Sequence, residues 1–320
     1  MLHRHSRILV TGGAGFIGGH IVDRLLSKGF EVIVVDNLST GRLENVTSHQ
    51  GKKDFHFIKG DIRNLDLVKS TLQDVDAVFH EAALVGATCS VENPVLTNEV
   101  NVTGTLNLLK ACVDSDVKRF IYASSAAVYG KTETLPHHED LTPRPISPYG
   151  VSKLAAENYV KVFYDVYGLE TVCLRCFNIY GPMQTYSPYS GVITIFINRL
   201  LGNQPPIIYG DGKQTRDFIN IQDVIAANML ALTRKSAVGE VFNIATGVAT
   251  TVNRVASMLQ EIIGKTSLKP VYTNPRMGDI RHSYADISKA RRVLGHNPRV
   301  SLRDGLAKLV KWHALKELKT

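Results

Sequence analysis

The sequence predicts an α/β fold: a doubly wound parallel sheet with a smaller α/β domain at the C-terminal side. Three observations predict it. Short β-rich runs alternate with helical stretches from Arg7 to about Cys176. The strand runs are continuously apolar, as strands covered on both faces are. After Asn178 the rhythm breaks into turns marked by Gly and Pro. A length of 320 residues agrees with two units of about 150 residues each. The expected boundaries are residues 1–176 for the sheet domain, with segments returning to it from about 219–246, and 177–218 plus 247–320 for the second domain.

The elements follow in order. Arg7-Ile8-Leu9-Val10 is a first strand, and Ile17, Ile21 and Leu25 at i, i+4, i+8 make one face of a helix ending near Lys28-Gly29. Glu31–Val35, Phe55–Ile58 and Ala77–Phe79 are the next strands, with a helix from about Asn64 to Leu72. One long helix is expected from Val95 to Cys112, then a strand at Arg119–Tyr122, a helix from Ser152 to Tyr167 and a strand carrying Cys173. Tyr180 to Ser190 reads as loop. Helices recur at Ile221–Thr233 and Val252–Ile263 around a strand at Val241–Ile244. A last helix uses Leu302, Leu306, Leu309 and Val310.

A composition of 44% hydrophobic and 21% charged residues excludes collagen-like, coiled-coil and largely disordered chains. No apolar run approaches the ~18 residues of a membrane span, and Met1 to Ser6 offers no signal-peptide apolar region. A cytoplasmic protein with no membrane partner is expected. Lys and Arg number 37 against 29 Asp and Glu, but the cations occur as scattered pairs such as Lys52-Lys53, Lys118-Arg119 and Arg291-Arg292. That pattern favours small phosphate-bearing molecules over nucleic acid as partner. Cys173-Leu174-Arg175-Cys176 spells a metal-like pair, yet in a strand positions i and i+3 face opposite ways, so both thiols are expected in the core and no metal site is expected. His137-His138 and His3 with His5 read as solvated loop histidines.

Thr11-Gly12-Gly13-Ala14-Gly15-Phe16-Ile17-Gly18 joins the first strand to the first helix. Here Gly12 permits a tight turn, Gly15 lets backbone approach a pyrophosphate, and Gly18 lets helix pack on strand, with the anion facing the helix N-terminus. Phe16 and Ile17 belong to the same contact. Asp36 ends the second strand, 18 residues past Gly18, where a carboxylate accepts the adenosine ribose diol; its neighbour is Asn37 rather than Arg, which favours NAD over NADP. Asp61-Ile62 is read as closing the third strand, where an adenine ring would lie.

Tyr149 and Lys153 are one helical turn apart, just where Pro148 allows a helix to begin. A phenol of pKa ~10 has to be brought down by about three pH units to act as a base near neutrality. An ammonium, a helix N-terminus and a cationic cofactor all act in that direction. The strand Arg119–Tyr122 delivers Ser124-Ser125 at its C-terminal end, and a serine there relays a proton between substrate and tyrosine.

The glycine loop, Asp36, Ser125, Tyr149 and Lys153 together resemble the extended short-chain dehydrogenase/reductase family over nearly the whole chain. Within it, Ser124–Gly130, Tyr149–Lys153, Arg175–Pro182 and Gly210–Phe218 look like a nucleotide-sugar 4-epimerase. The resemblance implies a Rossmann-type sheet, bound NAD and UDP-hexose substrates, plain and N-acetylated. It also implies a homodimer paired through the helices 95–112 and 152–167. It matches Asn101 and Phe177 to residues beside the cofactor, and Arg276, Asp279 and Arg216 to the contacts of the uridine diphosphate. Asn178 falls among the substrate contacts, and Ser283 falls at a position beside the sugar that varies between tyrosine and smaller residues, where serine leaves room for an N-acetyl group.

Relatives with other chemistries differ. Dehydratases and decarboxylases carry acidic or polar residues where Ala126-Ala127 stand, and two methyl groups cannot protonate a leaving hydroxyl. Uronate 4-epimerases carry Thr at the Asn178 position and an Arg near Thr185. Val85-Gly86-Ala87-Thr88-Cys89 departs from the family's usual loop. The alternatives are a uronate epimerase, another nucleotide-sugar oxidoreductase, or a non-catalytic dinucleotide-sensing or nucleic-acid-associated protein. The intact Ser125, Tyr149 and Lys153 speak against the last.

Overall fold

The structure is a computed structural model and describes residues 6–184, 191–275 and 280–317. Seven strands, β1 (Arg7–Thr11), β2 (Glu31–Asp36), β3 (Phe55–Lys59), β4 (Ala77–His80), β5 (Arg119–Ser125), β6 (Glu170–Cys176) and β11 (Val241–Ile244), form one sheet in the order β3-β2-β1-β4-β5-β6-β11. Every ladder in it is parallel. Strand side chains alternate between two cores: Ile8, Val10, Val32 and Val34 enter one, Leu9, Ile33 and Val35 the other. The first core is closed by α1 (Phe16–Ser27) and α8 (Ile221–Thr233), the second by α2 (Leu65–Thr71), α5 (Gly104–Asp114) and α6 (Pro148–Tyr167). This is a doubly wound, Rossmann-type sheet. Its strand order reverses between β1 and β4, so a crevice opens at the C-terminal ends of those strands.

The chain after β6 builds small ladders around that crevice. β7 (Asn178–Tyr180) pairs with β10 (Phe218–Asn220), β8 (Ile207–Tyr209) with β13 (Val271–Thr273), and β9 (Thr215–Arg216) lies between β12 (Thr250–Thr251) and β14 (His282–Ser283). Phe196, Ile197 and Leu200 of α7 (Val192–Leu201), Val255 and Leu259 of α9 (Val252–Ile263), and Leu306 and Leu309 of α10 (Leu302–Glu317) form a third core. Ala290 and Leu294 return to the first core. Among the described residues no helix is long and apolar enough to cross a membrane.

Four readings of the sequence are corrected. The single helix from Val95 to Cys112 is in fact α4 (Pro94–Asn98), a π-turn at Glu99–Thr103 and α5. Residues flanking the turn keep helical angles, so periodicity does not register the extra residue. Just before it, the unusual segment Val85–Cys89 opens a short helix, α3 (Ala87–Glu92), which Gly86 enters at φ +114°. Asp61-Ile62 does not close β3, which ends at Lys59; both residues lie in the turn beyond it. His137 is not solvated: it is 1% exposed, and its ring stacks on Tyr129 at 4.7 Å. The pattern after Asn178 announces no helix before Pro205, yet α7 forms there. Its run Val192–Leu201 is apolar on several faces because it is buried between α9 and the crevice. Of the paired thiols Cys173 is buried in one core as expected, while Cys176 is half-buried, packs against the other and lines the crevice. No group of three potential ligands able to hold a metal occurs among the described residues, and His3 and His5 lie outside them.

Candidate active site

The glycine turn is built by steric necessity. Gly12 has φ +68°, and a Cβ there would stand 2.7 Å from the Ala82 nitrogen. A Cβ on Gly18 would stand 2.8 Å from the Gly13 Cα, so Gly18 lets α1 close on its own entry turn rather than on a strand. Gly15 is the N-cap of α1 and supplies no side-chain cap, leaving that helix end to backbone groups and to an anion. Phe16 and Ile17 open the helix and line the crevice.

At the tip of β2, Asp36 is 7% exposed and accepts from the backbone N–H groups of Ala14 (2.9 Å) and Leu38 (2.8 Å). Burial pushes its carboxyl upward while those two donors pull it back. The side-chain amide of Asn37 donates to Asp61 (2.9 Å), whose carboxyl is held down to about 2 by Arg63. Ile62 is buried, where a Cβ on Gly104 of α5 would meet it at 2.6 Å. This cradle of open backbone, a helix N-terminus and a carboxylate at a strand tip fits the diphosphate and ribose of a dinucleotide.

The chemistry-bearing groups converge at the other end of the crevice, a cavity of about 710 Å³. Ser125 is the last residue of β5, and its hydroxyl accepts from the Ala127 N–H at 3.1 Å. Tyr149 stands in the first turn of α6, a helix capped by Ser147 (Gly150 N–H to Ser147 Oγ, 3.1 Å) and opened by Pro148. Tyr149 and Ser125 line the same wall of the cavity, and the Ser125 hydroxyl acts to lower the phenol. One turn on, Lys153 is 4% exposed, donates to the Ala123 carbonyl at 2.7 Å and lies 5.0 Å from the Tyr122 ring centroid. Burial pushes the Tyr149 phenol up to about 12 and draws the Lys153 ammonium down to about 8. The spacing of the two residues implies a phenol drawn downward; in the protein alone desolvation outweighs the pull of the Ser125 hydroxyl.

Other expected residues take varied places. Phe177 is buried against Tyr129 and lines the cavity with Asn178, the first residue of β7. Arg216 lines it from β9 and donates to the Thr215 carbonyl at 2.8 Å. Ser283 pairs with Arg216 in register, is 8% exposed and is not among the cavity's lining residues. Asn101, in the π-turn, clamps the loop after β4: its side chain accepts from the Leu84 N–H (2.8 Å) and donates to the Leu84 carbonyl (3.0 Å) and Ser152 (2.9 Å). Arg276, Asp279 and Thr185 lie outside the described residues. Sequence reasoning missed Glu81, Arg199, Tyr209 and Gln214, which also line the cavity. For Glu81 a signal existed, since it directly follows a parallel strand, as ligand-facing residues do.

The family described as GDP-mannose 4,6 dehydratase matches residues 9–309. A crystal structure of UDP-glucose 4-epimerase from Thermotoga maritima with UDP-glucose is 40% identical, with a TM-score of 0.92 over 97% of this chain and 99% of that one. The UDP-N-acetylglucosamine 4-epimerase of Methanobrevibacter ruminantium, in complex with UDP-N-acetylmuramic acid, is 37% identical, with a TM-score of 0.93 over 98% of this chain and all (100%) of that one. The Thermus thermophilus UDP-glucose 4-epimerase complex with NAD is 38% identical, with a TM-score of 0.87 over 96% and 99% of the two chains. With these matches spanning nearly its whole length, the chain belongs to the extended short-chain dehydrogenase/reductase family, among its nucleotide-sugar enzymes.

Proposed function

We propose that the protein is an isomerase that inverts C4 of UDP-hexoses on a tightly held NAD, accepting UDP-glucose and UDP-galactose and their N-acetylated counterparts. The observation that carries this reading is the convergence of Ser125, Tyr149 and Lys153 on one wall of a cavity whose other walls hold Arg216 and Asn178. Gly12, Gly15, Gly18 and Asp36 would hold the dinucleotide, with Phe177 at its reactive end. Bound there, NAD supplies the acceptor for the C4 hydride and returns it. The Tyr149 phenolate accepts the proton of the C4 hydroxyl, Ser125 relays it, and the Lys153 ammonium stabilises the phenolate. The 4-keto sugar turns before Tyr149 gives the proton back. Arg216, with Arg276 and Asp279, would anchor the uridine diphosphate, since a diphosphate wants guanidinium forks.

Residues 1–176 and 219–246 form the cofactor unit in this reading, and 177–218 with 247–320 the substrate unit. A homodimer is part of it. Val151, Tyr159, Val162 and Val166 make one exposed apolar stripe on α6, at i, i+8, i+11 and i+15, beside exposed Val95 on α4. The deciding experiment incubates the purified protein with UDP-galactose, UDP-N-acetylgalactosamine or UDP-galacturonate, with no NAD added, and reads the products by NMR. Gluco-configured products from the first two support the reading. Turnover of the uronate alone would replace it with a uronate epimerase, and stoichiometric consumption of added NAD with a nucleotide-sugar oxidoreductase.

A further inference from the structure

The mechanism above leaves one carboxyl group in the crevice without a task. Glu81 directly follows β4, and its place is fixed on two sides. Its N–H donates to the Thr11 carbonyl at 3.2 Å, and its backbone presses on the glycine turn, within 3.0 Å of where a Gly12 Cβ would be. It lines the cavity together with Tyr149, Lys153 and Cys176. Among the described residues no hydrogen-bond donor reaches its carboxyl oxygens. The titratable groups that face it are Tyr149 and Lys153 from α6, Tyr122 from β5 and Cys176 from β6. Its neighbour His80 is turned away, its ring held between the hydroxyls of Thr11 (2.7 Å) and Thr105 (2.9 Å). Lys153 supplies the positive charge of this set.

We propose that Glu81 is a positioning residue for the epimerisation, its carboxylate serving as counter-ion to the Lys153 ammonium and setting the pH range in which Lys153 and Tyr149 work together. A buried ammonium that has only a carbonyl acceptor and an aromatic face loses its proton readily, and an anion in the same crevice opposes that loss. The same anion opposes formation of the Tyr149 phenolate. Burial raises Glu81 to about 7, so it changes charge within the working range and not far below it. Above that point both neighbours are held up; below it, both are released.

The kinetic arm of the test rests on the epimerase reading; the spectroscopic arm does not. In Glu81→Gln, which keeps the shape and removes the charge, both neighbouring groups should titrate lower by about one unit. Above about pH 7 the pH profile of kcat/KM therefore moves to acid. It converges with the unsubstituted profile below about pH 7, where Glu81 is itself protonated. Glu81→Asp should return the profile toward its original position, whereas a merely structural role lowers the profile without moving it. Independently, the phenolate absorbance of Tyr149 is read as the difference between each protein and its Tyr149→Phe partner. Its midpoint should fall by about one unit when Glu81 becomes Gln. Unmoved midpoints in that difference titration overturn the proposal. An absence of turnover by the unsubstituted protein would overturn the epimerase reading while leaving the titration to decide the role of Glu81.

Discussion

Replacing Arg175 by Met should destabilise the protein by about 3–5 kcal/mol. Arg175 of β6 and Glu157 of α6 pair through two contacts, Nη2 to Oε1 at 2.6 Å and Nε to Oε2 at 3.0 Å, with side chains only 5% and 1% exposed. The guanidinium also donates to the Tyr129 hydroxyl (3.0 Å) and the Glu139 carbonyl (3.2 Å), and lies over the Tyr129 ring. Ser124, next to Ser125, donates to Glu157 at 2.5 Å, and Tyr129 donates to Asn243 of β11 at 2.7 Å. The network thus ties β5, β6, β11 and α6 together behind Ser125. Met fills the stem volume but leaves Glu157 buried with one donor, and an uncompensated buried charge is expensive. At roughly 2 °C per kcal/mol for a chain of this size, the thermal midpoint should fall by about 6–10 °C. Adding Glu157→Leu should recover most of the loss, because a fully apolar replacement leaves no orphaned charge. Thermal unfolding of the two variants at pH 7 checks this. A loss under ~1 kcal/mol in the single variant, or a double variant no better than the single, would refute the reasoning about the buried pair.

Three further outcomes are expected. Tyr149→Phe should remove nearly all turnover while retaining bound cofactor, since the ring stays and the proton acceptor goes; activity above a hundredth of the original would mean another group takes the C4 proton. Lys153→Met should abolish turnover, yet in cofactor-stripped protein it should not lower the melting temperature at pH 7. Burial holds the folded-state pKa near 8 against 10.5, so the folded chain binds fewer protons than the unfolded one between those values. The stability of the original protein should therefore rise through that window, and the Met variant should lack the rise. Ser283→Tyr should suppress UDP-N-acetylhexoses by about ten- to a hundredfold in kcat/KM while sparing UDP-glucose, the change expected of ~1–3 kcal/mol of added crowding. Equal effects on both substrate pairs would remove Ser283 from sugar selection.

The sheet was legible because its strands are covered on both faces, so Val32–Val35 and Ala77–Phe79 read as unbroken apolar runs. The helices α8 and α9 were legible to the residue, since Asn220 and Thr251 cap them with side-chain acceptors (Gln222 N–H at 3.0 Å, Arg254 N–H at 3.1 Å). What escaped was set by tertiary contact. The π-turn at Glu99–Thr103 exists where Asn101 reaches Leu84 and Ser152, groups 17 and 51 residues away, and no local pattern announces such a partner. His137 is buried because Tyr129 and the segment at Tyr284–Asp286 close over it, not because of its neighbours in sequence.

The site divides the same way. Spacing alone placed Tyr149, Lys153 and Ser125, because a helical turn and a strand end fix where such side chains go. Spacing could not say which way their proton affinities move. That depends on how much water the fold removes, and here the removal is severe enough to raise the phenol and lower the ammonium together. Both shifts oppose the charged pair that the reaction needs. The protein alone therefore holds Tyr149 as a neutral phenol near neutrality, while Lys153, drawn down only to about 8, stays largely charged. The charge that draws the phenol down must come from what fills the crevice, whereas the Glu81 carboxyl group supports the ammonium and opposes the phenolate. In the epimerase reading such a site gains its working charges only when loaded, which would suit a reaction whose keto intermediate has to be kept from water.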